Sequence, residues 1–229
     1  MEFQNYWYAL VLIVMAVITM FLFVKKTIVF FTELKYMLPA IIFSGAIFIL
    51  FNHRLLETGI LSFNSNFLTG KYLFSLPVEE WLFLLIISLF SFSVYILITV
   101  LFPNFERPNL FLVISVVLLL GFGLVAWHFR QKLIPFFIFF LLTIYFGYTI
   151  FRNRFKMHLT KFYISYAIAV IPYFLIKGLL YSLPVISYNT GYTLGIRLLG
   201  TPVEEFGYFF LLMLINVTIF EYLKGHRLY

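Results

Sequence analysis

Apolar runs of about twenty residues recur down this chain, and nothing in the sequence constrains the fold more. Seven such runs are present: Tyr6–Val24, Tyr36–Leu55, Trp81–Phe102, Leu110–Trp127, Leu133–Phe151, Phe162–Tyr181 and Phe206–Leu223. A bilayer core of about 30 Å takes about 20 residues of helix at 1.5 Å rise each, so each run is close to one crossing. None alternates with period two, and each far exceeds the roughly ten residues of a barrel strand. Hydrophobic types make up 63% of the 229 residues and charged types 11%, more apolar surface than a soluble core can hide. An all-α integral membrane protein with about seven transmembrane helices is expected. The first run reads as a span and not a cleaved leader: no Lys or Arg precedes it, and Lys25-Lys26 follow as a stop.

The net charge of +7 belongs to short loops, so it speaks for orientation and not for nucleic acid. Lys25, Lys26, Lys35, Arg107, Arg152, Arg154, Lys156, Lys161, Lys224 and Arg227 collect on one side. Arg54, Lys71, Arg130, Lys132 and Arg197 lie on the other, and Lys177 falls within a run. Positive-inside bias then puts the N-terminus outside the inner (cell) membrane and the C-terminus in the cytoplasm.

An internal repeat organises the chain. Phe63-Asn64, Gly70 and Pro77-Val78-Glu79-Glu80-Trp81 return as Tyr188-Asn189, Gly195 and Pro202-Val203-Glu204-Glu205-Phe206, each 125 residues later. The same offset carries the first three runs onto the fifth, sixth and seventh. The reading is two parallel three-helix repeats, residues 1–105 and 131–229, joined by a linking transmembrane helix within 106–130. Three crossings reverse the side on which a chain emerges, and the linking helix restores it. Both Pro-Val-Glu-Glu segments then lie at one face of the membrane, related by a pseudo-twofold axis along its normal.

Chemistry is scarce elsewhere. There is no cysteine, which excludes disulfides, thiolate nucleophiles and Cys-based metal sites. All nine acidic residues are Glu, which removes Asp-rich magnesium–diphosphate motifs. His53, His128, His158 and His226 show no ligand spacing, so no metal is assigned. Four of the nine acids are Glu79, Glu80, Glu204 and Glu205. Each pair opens a helix behind a proline, which the first turn tolerates. Carboxylates there complement the helix dipole by about 0.3–1 kcal/mol. That explains one pair, but not two register-matched pairs at membrane depth, where ionisable groups are costly and usually functional. Adjacent helical residues point about 100° apart, so one Glu of each pair can face the bundle axis. Arg197 stands where the first repeat has Tyr72. It is expected either to keep a second-pair Glu ionised as base, with a first-pair Glu as acid, or merely to tie its loop by an ion pair. Asn64 and Asn189 can bond the carboxylates or cap loop backbone, and Gly70 and Gly195 permit turns. Trp81, Phe206 and Tyr208 can offer π-faces to a cationic intermediate.

These residues resemble the membrane-integral lycopene cyclases, the small type found as two separate subunits in some bacteria and fused into one chain in others and in fungi. The resemblance rests on Phe63-Asn64, Leu76-Pro77-Val78-Glu79-Glu80-Trp81, Tyr188-Asn189, Gly195-Ile196-Arg197 and Pro202-Val203-Glu204-Glu205-Phe206, and this chain looks like the fused form. Lys177 departs from the neutral polar residue, and Asn52 from the acid, that the family leads one to expect. The resemblance implies redox-neutral acid–base cyclisation of the ends of lycopene to β-type rings, with no cofactor. It also implies a lipophilic polyene substrate, membrane lipid as surroundings, and other carotenoid-pathway enzymes as neighbours. A transporter with a paired-glutamate site between parallel repeats is the alternative. A Glu-Glu intramembrane protease lacks its following Arg and mid-span His here, and a retinal protein lacks a lysine in Phe206–Leu223.

Overall fold

The computed structural model describes residues 6–24, 27–152 and 155–225. Helices α1 (Trp7–Val24), α2 (Thr27–Glu57) and α3 (Val78–Leu101) form the first unit, α4 (Pro108–His128) links, and α5 (Leu133–Phe151), α6 (Leu159–Ser182) and α7 (Glu204–Gly225) form the second. Six of them are long and apolar enough to cross a membrane; the apolar part of α1, Trp7–Leu22, is shorter. The chain is thus an all-α membrane protein. Lys25, Lys26, Arg154, His226 and Arg227 lie outside the described residues.

Two boundaries differ from expectation for a physical reason. Helix α2 begins nine residues before Tyr36 and runs through Pro39; the polar stretch Thr32–Lys35 continues the helix because Glu33 pairs with Lys224 of α7 at 2.8 Å. Helices α3 and α7 begin at or just before their glutamates, so the Glu side chains belong to the first turns. Pro77 caps α3, while Pro202 closes a strand.

The helices interlock across the repeat. α2 packs on α7 and its counterpart α6 packs on α3, so each unit reaches into the other. α1 flanks α3 as α5 flanks α7, and α4 lies outside against α5 and α6. In the most apolar window of α4 only 11% is buried, against 67% for α7, which marks α4 as the exposed helix and α7 as the core. Close approach of α7 to α5 needs Gly207: a Cβ there would stand 2.9 Å from Ile138 and 3.2 Å from Phe139.

At one end the interhelical loops make short strands the sequence reading took for plain loop. β1 (Leu61–Phe63) pairs antiparallel with β4 (Ile186–Tyr188), centred on Ser62 opposite Ser187. Those two hydroxyls are 2.7 Å apart and 125 residues apart in sequence, so the pseudo-twofold passes between them. Asn64 N–H donates to Val185 O and Asn189 N–H to Ile60 O, mirror images of one bond. Each loop ends in a hairpin: β2 (Tyr72–Leu73) with β3 (Leu76–Pro77), and β5 (Arg197–Leu198) with β6 (Thr201–Pro202). Their central pairs, Phe74-Ser75 and Leu199-Gly200, all have positive φ, as a tight two-residue hairpin turn requires.

Candidate active site

The two glutamates of each copy part company at once. Glu79 Oε1 accepts from the N–H and the hydroxyl of Thr69, at 2.7 and 2.6 Å. Glu204 Oε1 accepts from the N–H of Leu194, the equivalent position. Both are turned back onto their own loops, which Gly70 (φ 77°) and Gly195 (φ 78°) bend toward them. The other oxygen of each, Oε2, is buried without a protein partner.

Glu80 and Glu205 turn inward. Tyr8 of α1 donates to Glu80 Oε2 at 2.5 Å, and Asn52 of α2 donates through Nδ2 to Oε1 at 2.9 Å. Glu205 accepts from the hydroxyls of Tyr173 and Tyr181 on α6, the latter at 2.6 Å, and faces Lys177 Nζ at 3.8 Å. All of these residues are buried. The clusters meet across the pseudo-twofold: Asn52 Nδ2 also reaches the Tyr208 hydroxyl at 3.1 Å, and that hydroxyl lies within electrostatic reach of both Glu80 and Glu205. Tyr188 on β4 feels both as well. Burial first, and then the carboxylates of Glu205 and Glu80, push its hydroxyl pKa well above the usual 10. The aromatic walls repeat too. Phe48 meets Tyr208 edge-on at 4.5 Å, and the equivalent pair, Tyr173 and Phe83, meets at 6.2 Å.

The remaining expected residues fall outside this cluster. Asn64 and Asn189 accept from the N–H two residues on, at 3.1 and 3.0 Å, and so cap single helical turns. Trp81 Nε1 donates to Leu73 O at 3.2 Å and braces its hairpin. Phe206 stacks on Phe174 with ring centres 3.8 Å apart. Arg197 overturns the expectation placed on it: it is exposed on β5, and among the described residues no ion pair joins it to either glutamate. Both residues of β5, Arg197 and Leu198, are exposed. Two lysines stand beside the second pair: Lys177 faces Glu205, and Lys132, donating to Thr193 O at 2.7 Å, lies within electrostatic reach of Glu204.

Sequence reasoning singled out Asn52 and Lys177 only as departures. Their separation is the repeat offset of 125, a signal available from the sequence. Tyr173 and Tyr181 flank Lys177 by one helical turn on the same face, but Tyr8 carries no comparable mark. A cavity of about 10 Å³, lined among others by Glu204, Glu205, Tyr188, Tyr208 and Phe51, has room for a single water. The arrangement offers two buried carboxyl groups in unlike surroundings, which is what proton donation and proton removal at one substrate demand.

A family model described as lycopene cyclase matches residues 5–98 and 131–223, one match to each repeat. No curated protein and no solved structure matches the chain.

Proposed function

The chain belongs to the lycopene cyclase family, and from that premise we propose that it closes β-type rings at both ends of lycopene, giving β-carotene through γ-carotene. The reaction is an isomerisation. A protonated carboxyl gives its proton to the terminal double bond of the acyclic end, leaving a tertiary cation. The next double bond supplies the electron pair for the new carbon–carbon bond, which closes a six-membered ring and moves the cation into it. A carboxylate then takes a proton from the ring, and the electrons left behind form the ring double bond. No electrons enter or leave, and one proton is added and one removed.

The observation that carries this reading is the convergence of Glu80 from the first repeat with Glu205 from the second: Asn52 bonds both Glu80 and the Tyr208 hydroxyl, and the Tyr208 ring lies 5.9 Å from Lys177 Nζ, which pairs with Glu205. Low-dielectric, aromatic walls favour a transient cation and exclude water that would trap it. In this reading Glu79 and Glu204 hold the loops, Asn64 and Asn189 cap them, Trp81 and Phe206 support the first turns of α3 and α7, and Arg197 faces the membrane surface. The units are taken as 1–105 and 131–229 with the linking helix within 106–130. Lys35, Arg107, Arg152, Lys156, Lys161 and Lys224 support a cytoplasmic position for the end opposite the glutamates, so the site opens toward the outer face of the cell membrane.

Coexpression with enzymes that make lycopene tests the proposal. Chromatography of the extracted pigment is expected to show β-carotene with some γ-carotene. Pigment that stays acyclic would remove the cyclase reading, and redistribution of a polyene without ring closure would favour the transporter.

A further inference from the structure

Resting on the cyclase reading, we propose that Lys177 sets the direction of proton flow by holding Glu205 as the carboxylate base, which leaves Glu80 as the proton-donating acid. The duplication makes the two carboxyl sites near-equivalents, so something must break the symmetry if one is to give a proton and the other to take it. The surrounding positions are matched or neutral on both sides: Phe48 answers Tyr173 and Phe83 answers Tyr208 across the 125-residue offset. Two positions differ in charge: Lys132, whose counterpart is Trp7, acts on the loop side at Thr193 and Glu204, and beside the inward-turned carboxyls it is Asn52 whose counterpart is Lys177.

The contacts follow that difference. Glu80 meets only neutral donors, Tyr8 and Asn52. Glu205 faces the Lys177 ammonium at 3.8 Å, with side-chain exposures of 3% and 4% respectively. The same ammonium sits 4.4 Å over the Phe83 ring and 5.9 Å from the centre of Tyr208, so its surroundings offer π-faces and one carboxylate, and little else. A buried cation stripped of its counter-charge is strongly unfavourable, and so is a second unpaired anion close by. Lys132 stands on the loop side, donating to Thr193 O at 2.7 Å within electrostatic reach of the loop-bound Glu204, which leaves one ammonium, Lys177, for the two inward-turned carboxyls. The favoured charge state then keeps one shared proton between them, and the position of Lys177 puts it on Glu80. The groups facing Glu205 are Tyr173, Lys177 and Tyr181 from α6, Tyr188 from β4, Tyr208 and the loop-bound Glu204 from α7, and Glu80 across the twofold. Among the described residues Lys177 is the cation paired with Glu205; Lys132 of the α4–α5 connection lies behind Glu204. It acts through Glu205 and is a positioning residue.

Infrared difference spectroscopy on the full chain in lipid vesicles reads the proton without requiring turnover. At neutral pH the wild type is expected to show the carbonyl band of a buried carboxylic acid that disappears in Glu80→Gln and persists in Glu205→Gln. Lys177→Gln should add a second such band, removed again by adding Glu205→Gln, while Lys177→Arg should not. In the lycopene assay Lys177→Gln should lower turnover at neutral pH by about tenfold or more. Lys177→Arg, which keeps the cation, should restore it. Asn52→Lys gives an independent arm if Lys177→Gln does not fold: a cation beside Glu80 should erase the Glu80 band. A wild-type band that belongs to Glu205, or Lys177→Gln and Asn52→Lys variants that leave the bands in place, overturns the proposal. Expected spectra from a protein that leaves lycopene acyclic would remove the cyclase reading and keep the Lys177–Glu205 pairing.

Discussion

Two neighbouring glutamates with the same chemistry take different parts because a helix turns about 100° between them. The first of each pair is spent on a loop: Glu79 on Thr69 and Glu204 on Leu194. Replacing either by Gln keeps an acceptor but loses the charge, and should cost about 1–2 kcal/mol of stability with less than about a tenfold loss of turnover. Glu80→Gln and Glu205→Gln should each cost about 10²–10⁴ in turnover with little change in melting. Turnover and thermal unfolding of the four variants in detergent check this, and equal losses in all four would dissolve the distinction. That all four glutamates stand in matched positions was legible from the repeat alone. Which of each pair turns inward was not, since helix rotation is decided by packing against α2 and α6. Arg197 shows the complementary failure: nearness in sequence suggested nearness in charge, and the residue lies exposed on a two-residue strand. A second residue-scale test uses the repeat as its own control. Ser75 holds φ 62° where the second unit has Gly200 at 81°. Ser75→Gly should stabilise the protein by up to about 1 kcal/mol, because only glycine takes that backbone freely.

The existence and number of helices follow from hydropathy, because a bilayer asks for one length of apolar helix and the chain supplies it six times, with a shorter seventh in α1. The six short strands escaped that reading. They hold two or three residues each, too few for any alternation to register, and β1 needs a partner 125 residues away. What seats a hairpin on the bundle is a matter of atomic clearance. At Gly178 of α6 a Cβ would lie 2.6 Å from the backbone oxygen of Leu199, and Leu199 is at the hairpin turn with φ 51°. At Gly207 the close atoms belong to side chains, Ile138 Cγ2 at 2.9 Å and the Phe139 ring at 3.2 Å, a smaller overlap than with the Leu199 backbone. Gly178→Ala should therefore destabilise by about 1–3 kcal/mol and loosen the β5–β6 hairpin beneath Glu204 and Glu205, while Gly207→Ala costs less. Thermal unfolding of both variants tests the order, and a milder Gly178→Ala would mean the hairpin is not seated by that contact.

On the scale of the whole molecule, each repeat is unfinished without the other. α2 is packed on α7 and α6 on α3, and the carboxyl cluster takes Tyr8, Asn52 and Glu80 from the first unit and Tyr173, Lys177, Tyr181 and Glu205 from the second. The covalent link contributes little to this: α4 is exposed over most of its length and touches mainly α5 and α6. Its part is topological, returning the chain to the side where a second three-helix unit can start. Cutting between α3 and α4 should thus leave both pieces correctly oriented and the interlocking surfaces intact, at the cost of an association entropy that large buried helix contacts can meet. Coexpressed as 1–105 and 106–229 in a lycopene-making strain, the two pieces should restore ring closure to within about tenfold of the intact chain, and neither should do so alone. Cyclisation by a single piece would place donor and acceptor within one repeat and sever the link between the duplication and the chemistry. Pieces that both insert and yet fail to cyclise together would show that α4 does more than carry the chain across.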